Sequence, residues 1–586
     1  MRLDLDSVAV SLSNPKAGDI PLAPLTAEQK RVLAEARAGR ASRGKGDIVN
    51  RALAAVDAED YVEAARLGMD AVKQYPDCMP AHLASAVALD RLGYLVDSLE
   101  FFAQAVRLSP ENPTICGLLG GAAERANQLD LAAKFYRKAI ELDPGDAGHV
   151  SDLAGVLRAL GRFGEAIEVL RNQIYVTPEN ANLWNTLGTV LQEQGEPEQA
   201  LTFFAEAVRL KPKFARAYHN LGSTLTDLGR FAESSAALDQ AIAGTSSPGD
   251  RAEMRHARSL ARLGEGRMIE GWDDYEARFD PLTIDPMLFQ APRPRWQGED
   301  LAGKRLMILG EQGLGDEVIF LNAAADAVAA AGAEGKVTIA CQKRLVPLIA
   351  RSFPQARAIA HYSGMHLRRN VRLVRPESEW DEIDFWTPMG DVTKAFRRAI
   401  GDFPAVRGYL RPDPARVAAL KAQLSAAPGL KIGILWKSLV MTPKRMRYFA
   451  PFTAWALLLK AANVTTYTLQ YGDTAEEEAY ARDTLGVEMK RIDGLDLKDD
   501  LDGVAAAGQA LDLVIGPMNA TTNIAAAAGA DVWFVHRYGS WTMHGTESTP
   551  YYPHTRAWCA PEGDWRALFG AMARELEARA ARENAA

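Results

Sequence analysis

The chain has 586 residues, a formal net charge of -8 and a composition that is 48% hydrophobic and 24% charged; it is an ordinary globular protein, too long for one core. The acidic balance argues against a nucleic-acid binder, and Cys78, Cys116, Cys341 and Cys559 lie too far apart for a disulfide framework. The opening Met1-Arg2-Leu3-Asp4-Leu5-Asp6 lacks a basic segment followed by an apolar run, and the apolar stretch 320–333 is too short to span a bilayer and holds Asn322 and Asp326, so a cytoplasmic protein without membrane insertion is expected.

Residues 1–44 show no period. Thr26-Ala27-Glu28-Gln29 has the spacing of a capping box, and Ala41-Ser42-Arg43-Gly44-Lys45-Gly46 reads as a linker. A period of 34 then begins. Pro76, Pro110, Pro144, Pro178 and Pro212 keep it, as do Gly93, Gly161, Gly195 and Gly229, with Asn127 in the missing glycine slot. Ala132, Ala166 and Ala200 repeat in phase, and so do Ala105, Ala139, Ala207 and Ala241. Glycine or asparagine closes a helix in the left-handed region, proline stops the next one, and the small residues let two helices approach. Six helix pairs fit between about 45 and 248, and a degenerate closing pair runs to about 278.

From 305 short β-rich runs alternate with helical patterns, which implies parallel sheets. Residues 305–309 and 337–340 read as strands of a first unit, with helices and loops continuing to about 408. Arg411-Pro412-Asp413-Pro414 reads as a hinge. Residues 431–436, 465–470, 511–515 and 532–535 read as strands of a second unit, closed by a helix over 564–582. Between the first strand and a helical pattern over 318–331 stands Gly310-Glu311-Gln312-Gly313-Leu314-Gly315-Asp316-Glu317. A strand, a tight glycine turn and a helix put carboxylates and backbone N–H groups at the carboxyl end of a strand, where open α/β sheets bind ligands. A dinucleotide oxidoreductase fits poorly. The glycines are spaced G-x-x-G-x-G, and Cys341-Gln342-Lys343-Arg344 stands where an acid would hold a ribose.

The repeat resembles the tetratricopeptide repeat, most fully at Trp184-Asn185-Thr186-Leu187-Gly188 with Ala200, Phe204, Ala207 and Pro212. Pro294-Arg295-Trp296-Gln297-Gly298, Leu301-Ala302-Gly303-Lys304 and Glu311-Gln312-Gly313-Leu314-Gly315-Asp316 resemble bacterial tetratricopeptide-repeat glycosyltransferases, whose C-terminal module is related to the heptosyltransferases. Gly271-Trp272-Asp273-Asp274-Tyr275-Glu276 is similar to their junction, and Leu469-Gln470-Tyr471-Gly472, Thr549-Pro550-Tyr551-Tyr552-Pro553 and Gly563-Asp564-Trp565 add to the likeness. Among them the chain is most similar to cytoplasmic flagellin glycosyltransferases that use nonulosonic sugars. The resemblance implies an α-solenoid (a tetratricopeptide superhelix) followed by an α/β GT-B glycosyltransferase with two Rossmann-like domains. The expected layout is an N-terminal segment 1–44, repeats 45–280, an acceptor-side domain 281–415 and a donor-binding domain 416–586.

The implied activity moves a nonulosonic acid, such as pseudaminic or legionaminic acid, from a CMP-linked donor to Ser or Thr of flagellin held on the concave face of the repeats. No cofactor is permanently bound, and the transfer is metal-independent. The alternative is a non-catalytic scaffold or chaperone with a degenerate nucleotide-binding half. Pro517-Met518-Asn519-Ala520-Thr521-Thr522-Asn523 replaces the family's Asp-Thr-Ser-x-x-His run, and a basic loop with Lys437, Ser438, Lys444, Arg445 and Arg447 replaces its Asn-His-Asp-rich loop. Both departures argue against ADP-heptose as donor.

Transfer to a hydroxyl needs a base, stabilisation of the departing phosphate and a cleft that excludes water. Asp316 is the candidate base, with Glu311 sharing that role or binding the acceptor; helix capping is the simpler use of such an Asp. Gly313 and Gly315 bring backbone close to the ligand. Lys437, Ser438, Arg445 and Arg447 suit a phosphate or sugar carboxylate, and Asn519, Thr521, Thr522 and Asn523 form a phosphate cradle at a helix start. Gln470, Tyr471 and Gly472 hold base or ribose. His536 joins them, near Arg537, Tyr538 and Trp541, while His544 and the run from Thr549 to Tyr551 close over the sugar. Asn220, on the first helix of its pair, is a candidate to bind a peptide backbone. Asp152 holds the same place in an earlier repeat, so no full Asn ladder exists.

Overall fold

Each 34-residue period becomes two helices because one residue per period reverses the chain and one proline ends it. Asp47–Asp57 pairs with Tyr61–Gln74, Met79–Arg91 with Leu95–Leu108, Pro113–Arg125 with Leu129–Leu142, Ala147–Ala159 with Phe163–Val176, Ala181–Gln194 with Pro197–Leu210, and Ala215–Asp227 with Phe231–Gly244. The helices Pro248–Gly264 and Met268–Tyr275 close the series. Gly93, Asn127, Gly161, Gly195 and Gly229 all take φ between 57° and 99°. Glu59 does the same at φ 59°; it is the first member of this series, hidden because its residue type gives no hint. The phased alanines are fully buried. This computed structural model describes residues 47–284, 286–366, 369–560 and 563–585, so the segment 1–44, with its capping box, and the linker up to residue 46 lie outside the described residues.

Gly188 shows how close the paired helices come. A Cβ placed there would lie 2.6 Å from Cε1 of the buried Phe204 ring. Gly188→Ala gains helix propensity of about 1 kcal/mol but overpacks this contact by about 1–3 kcal/mol. The expected result is a thermal midpoint of the repeat helices lowered by a few degrees, followed by far-ultraviolet circular dichroism; an unchanged or raised midpoint would contradict the packing.

The chain divides into two compact units, Met1–Pro212 and Lys213–Ala586. The sixth helix pair and the closing pair therefore belong with the α/β half. That half contains β1 (Leu288–Gln290), β2 (Arg305–Leu309), β3 (Lys336–Cys341), β4 (Ala356–Ala360), β5 (Tyr362–His366), β6 (Arg369–Leu373), β7 (Phe385–Pro388), β8 (Leu430–Ile434), β9 (Val464–Thr468), β10 (Leu513–Gly516), β11 (Val532–His536) and β12 (Arg556–Cys559). They form two all-parallel sheets, β4-β3-β2-β7 and β12-β11-β10-β8-β9, and a small mixed sheet, β1-β6-β5. The stretch read as helices and loops up to 408 in fact holds β4 to β7. These strands carry arginine, histidine, proline or alanine in place of apolar β-branched runs, and each lies at an edge or in the small sheet, so burial selects them weakly.

One apolar core runs from Leu263, Trp272 and Tyr275 of the closing helices through Phe320, Val337 and Ile339 to Val514, Phe534 and Tyr551. Trp272 donates its indole N–H to the Arg397 carbonyl at 3.0 Å. Asp274 beside it accepts from Arg258 (2.7 Å) and Arg262 (2.9 Å). The junction motif is thus a latch between the last helices and the first sheet. A second core under the five-stranded sheet receives Phe569, Met572 and Leu576 of the final helix, Trp565–Ala585. Just before the expected hinge, Tyr409 and Leu410 donate their backbone N–H groups to the Ala527 carbonyl (both 2.8 Å), and the Tyr409 hydroxyl donates to the Val318 carbonyl (2.6 Å). Tyr409 straps the two sheets' helices together. Among the described residues no helix is long and apolar enough to cross a membrane.

Candidate functional site

Two strand-to-helix turns meet, one from each parallel sheet. The glycine turn after β2 opens the helix Leu314–Phe320, and 517–519 after β10 opens the helix Ala520–Ala527. Gly315 makes the close approach: a Cβ there would lie 3.5 Å from the Ala520 nitrogen and from Asn523 Nδ2. Beside this contact opens a cavity of about 820 Å³. Its walls come from both turns, from the loops after β8, β9 and β11, and from Thr226 and Asp227 of the sixth helix pair. This is the carboxyl end of both sheets.

Asn519 accepts from the Thr522 N–H (3.2 Å), while Thr522 Oγ1 accepts from the Asn519 N–H (3.0 Å), a reciprocal cap. That arrangement leaves the first-turn N–H groups of Ala520 and Thr521, both lining the cavity, outside the cap. Asn523 is 2% exposed; its amide donates to the Gly315 carbonyl at 3.4 Å, and its Oδ1 is buried with no hydrogen-bond partner among the described residues. A buried acceptor without a donor costs free energy, so a ligand donor would be stabilising there. Arg344, Arg445, Lys498 and Arg537 line the same space, against Asp227 and Asp316. Arg344 is braced by the Lys498 carbonyl at 2.5 Å. Arg445 and Lys498 are exposed and have no salt-bridge partner among the described residues. Helix-start N–H groups and cations together favour a phosphate or carboxylate.

Asp316 sits in the first turn of its helix and accepts from the Gly313 N–H at 3.0 Å. Burial raises the pKa of its carboxyl to about 6, helped by the nearby negative Glu311 and opposed by the Gly313 hydrogen bond. The residue is therefore a helix cap whose carboxyl titrates near pH 6. His536 also lines the cavity; burial pushes its imidazole down to about 4, so it is neutral at physiological pH.

Of the residues singled out from sequence, the cavity gathers Gly313, Gly315, Asp316, Ser438, Arg445, Tyr471, Asn519, Thr521, Asn523, His536, Arg537, Tyr538 and Trp541. It does not gather Glu311. That side chain is fully buried, bound by Arg278 at 2.8 and 3.0 Å and by the Gly390 N–H at 2.6 Å, so it supports the turn from beneath and is closed to an acceptor hydroxyl. Lys437 pairs with Glu477 at 2.5 Å. Arg447 turns to Asp227 (2.9 Å), which Lys444 approaches at 3.7 Å; both anchor the basic loop to the sixth helix pair. Gln470 accepts from the Trp436 and Lys437 N–H groups (both 3.0 Å), tying the ends of β8 and β9, and Gly472 supplies a φ of 93° to the turn. Thr522 is consumed by capping. His544 is 2% exposed, 3.1 Å from the Leu263 carbonyl and 3.3 Å from the Tyr551 hydroxyl. Thr549 donates to the Thr542 carbonyl at 2.9 Å. These two and Tyr551 build the floor under the loop and do not line the cavity. Asn220 is half-buried on its helix, and its carbonyl accepts from Thr224 at 2.8 Å.

Sequence reading missed Asp227, Thr226 and Lys498, which reach the cavity only through tertiary packing, and gave Arg344 no role beyond its place at a basic strand end. Below the turn, Glu317 Oε1 lies 2.7 Å from His361 Nε2, both side chains buried, and its Oε2 accepts from the Gln342 N–H at 2.9 Å. Among the described residues no group of three or more His, Cys, Asp or Glu side chains is placed to hold a metal ion.

The helix pairs are tetratricopeptide repeats. Models of that repeat match residues 49–113, 123–189 and 185–251. The chain is 44% identical over 351 residues to protein FlbA of Caulobacter vibrioides, covering 60% of this chain and 59% of FlbA; it thus spans about three fifths of that relative's length. Among solved structures, YrrB, described as a TPR protein with an unusual peptide-binding site, shares 20% identity over 32% of this chain and 98% of its own (TM-score 0.25). TTC0263, a thermophilic TPR protein of Thermus thermophilus, shares 24% over 28% of this chain and 88% of its own (TM-score 0.25).

Proposed function

We propose that the chain is a cytoplasmic protein O-glycosyltransferase of GT-B type, its two parallel sheets acting as acceptor-side and donor-side domains. It moves a nonulosonic acid from a CMP-linked donor to Ser or Thr of flagellin recruited by the repeats. The observation that carries this reading is the meeting of Asp316 and the Ala520–Ala527 helix start in one cavity. A base and an anion cradle in one space are what glycosyl transfer requires. Asp316 takes the proton of the acceptor hydroxyl as its oxygen bonds the anomeric carbon. The bond from that carbon to the CMP phosphate oxygen breaks, and the phosphate departs toward the Ala520 and Thr521 N–H groups and Arg445. The remaining cations suit the sugar's carboxylate, a group an ADP-heptose lacks.

Calorimetric titration with CMP tests the cradle. Wild-type protein is expected to bind CMP, and Arg445→Ala and Asn523→Ala each to weaken it by about 10-fold, the loss of one charge-assisted or otherwise unmade hydrogen bond of about 1.4 kcal/mol. Equal affinity in all three proteins would remove CMP from this cavity.

A further inference from the structure

Beside the main cavity lies a second one of about 450 Å³, lined by His219, His256, Ala257, Met287 and Gln312 among others. Three elements wall both. The helix Ala215–Asp227 gives His219 to the second cavity and Thr226 and Asp227 to the first. The helix Pro248–Gly264 gives His256 and Ala257 to the second and Leu260 to the first; 256, 257 and 260 share one helical face. The glycine turn gives Gln312 to the second and Gly313 to the first, with φ of 56° at Gln312. The two spaces therefore follow the same two helix faces and are divided at the turn that carries Asp316.

We infer that the second cavity is the entry groove for the acceptor polypeptide, taking an extended segment without acidic side chains whose Ser or Thr then reaches Asp316. This rests on the transferase reading above and names how its acceptor is held. The groove's chemistry disfavours an acidic occupant. Arg278 in its wall is committed to Glu311 and Asp391, and Glu253 Oε1 accepts from the Ile284 N–H at 2.9 Å. Burial lowers the pKa of His219 and pushes His256 down to about 4, so both offer neutral imidazoles. Among the described residues, Glu253, Asp250, Arg216 and Arg278 are the charged groups that face these histidines. Neutral imidazoles and the Gln312 amide can pair with peptide N–H and C=O groups, while an Asp or Glu in the segment would be desolvated beside the Glu253 carboxylate, with Arg278 already paired. Gln312 and Gly313 are adjacent in the chain and line different spaces, so the division between the two is thin.

The test fills the groove without touching the main cavity. Wild type, Ala257→Trp and Met287→Trp are given CMP-pseudaminic acid and a synthetic peptide of Ser, Thr, Ala and Asn. A second peptide carries Asp on both sides of its Thr. Wild type is expected to glycosylate the uncharged peptide with a KM at least 10-fold lower than the Asp peptide. Both variants are expected to raise the acceptor KM at least 30-fold while the donor KM stays within 2-fold. Two variants at separate positions guard against a fold defect in either, and thermal midpoints within a few degrees of wild type confirm it. Unchanged acceptor KM in both, with wild type active, overturns the groove and leaves the transferase reading standing. A wild type that transfers no sugar to either peptide or to flagellin overturns the transferase reading itself, and the groove with it.

Discussion

Asp316→Asn is expected to abolish most sugar transfer while making the protein more stable. The amide keeps an oxygen for the Gly313 N–H, so the turn survives, but it cannot accept the acceptor's proton. Removing a general base costs about 10²- to 10⁴-fold. In the wild type, kcat/KM is expected to rise with unit slope up to about pH 6, the raised carboxyl pKa, and then level; the Asn variant should lack that limb. The stability sign follows from the same pKa. The folded carboxyl at about 6 binds its proton more tightly than the unfolded one near 3.9. Ionisation is thus disfavoured in the fold, and stability contributed by this group falls as pH rises between about 4 and 6. The amide of the variant would escape that cost. A gain of about 1–2 kcal/mol is expected at pH 8, reduced from the full shift for partial solvent exposure, and no gain below pH 4. Urea midpoints at pH 4 and pH 8 check it; equal differences at both would show that the carboxylate is not strained.

The largest loss of stability is expected at Arg278. This guanidinium is 4% exposed, held by Glu311 at 2.8 and 3.0 Å and Asp391 at 2.8 Å, and lies 4.1 Å from the Tyr275 ring and 3.8 Å from the Phe279 ring. Its two acids hold the proton on it more firmly than usual, against the effect of burial. Arg278→Met leaves Glu311 fully buried without a cation, while Asp391 keeps Arg295. Breaking such a network by removing one partner costs about 3–5 kcal/mol. Adding Glu311→Gln should recover part of that loss, because the amide oxygen still accepts from the Gly390 N–H and no unpaired charge remains; a double-mutant cycle measures the coupling. Glu311→Gln alone is expected to keep transfer within about 10-fold of wild type, in contrast to Asp316→Asn. Comparable losses in both would return Glu311 to the chemistry.

What could be read from the sequence was what is local or periodic. The 34-residue phase survives because every repeat solves the same packing problem with a left-handed cap, a small contact residue and a proline; only Glu59 hid its role. The inner strands, β2, β3, β8, β10 and β11, are apolar runs buried on both faces, so their composition reports their position. β4 to β7 and β12 lie at edges or in a small sheet, where composition is freer. In the site, the glycine turn and the Asn519 cap are local motifs, and they came through. Side chains whose direction is set by a distant partner did not. Glu311 is turned inward by Arg278, 33 residues away, Lys437 by Glu477, 40 away, and Arg447 by Asp227, 220 away. Nothing near those positions in the chain shows which way each will point. His544 was drawn into the core by the Leu263 carbonyl for the same reason.

The intact mass of flagellin from cells carrying wild-type protein or Asp316→Asn bears most directly on whether this cavity transfers sugar. Regular sugar-sized increments in the first and their loss in the second are expected, with the variant protein present at wild-type level. Flagellin of the same mass from both cells would contradict either flagellin as acceptor or Asp316 as the base.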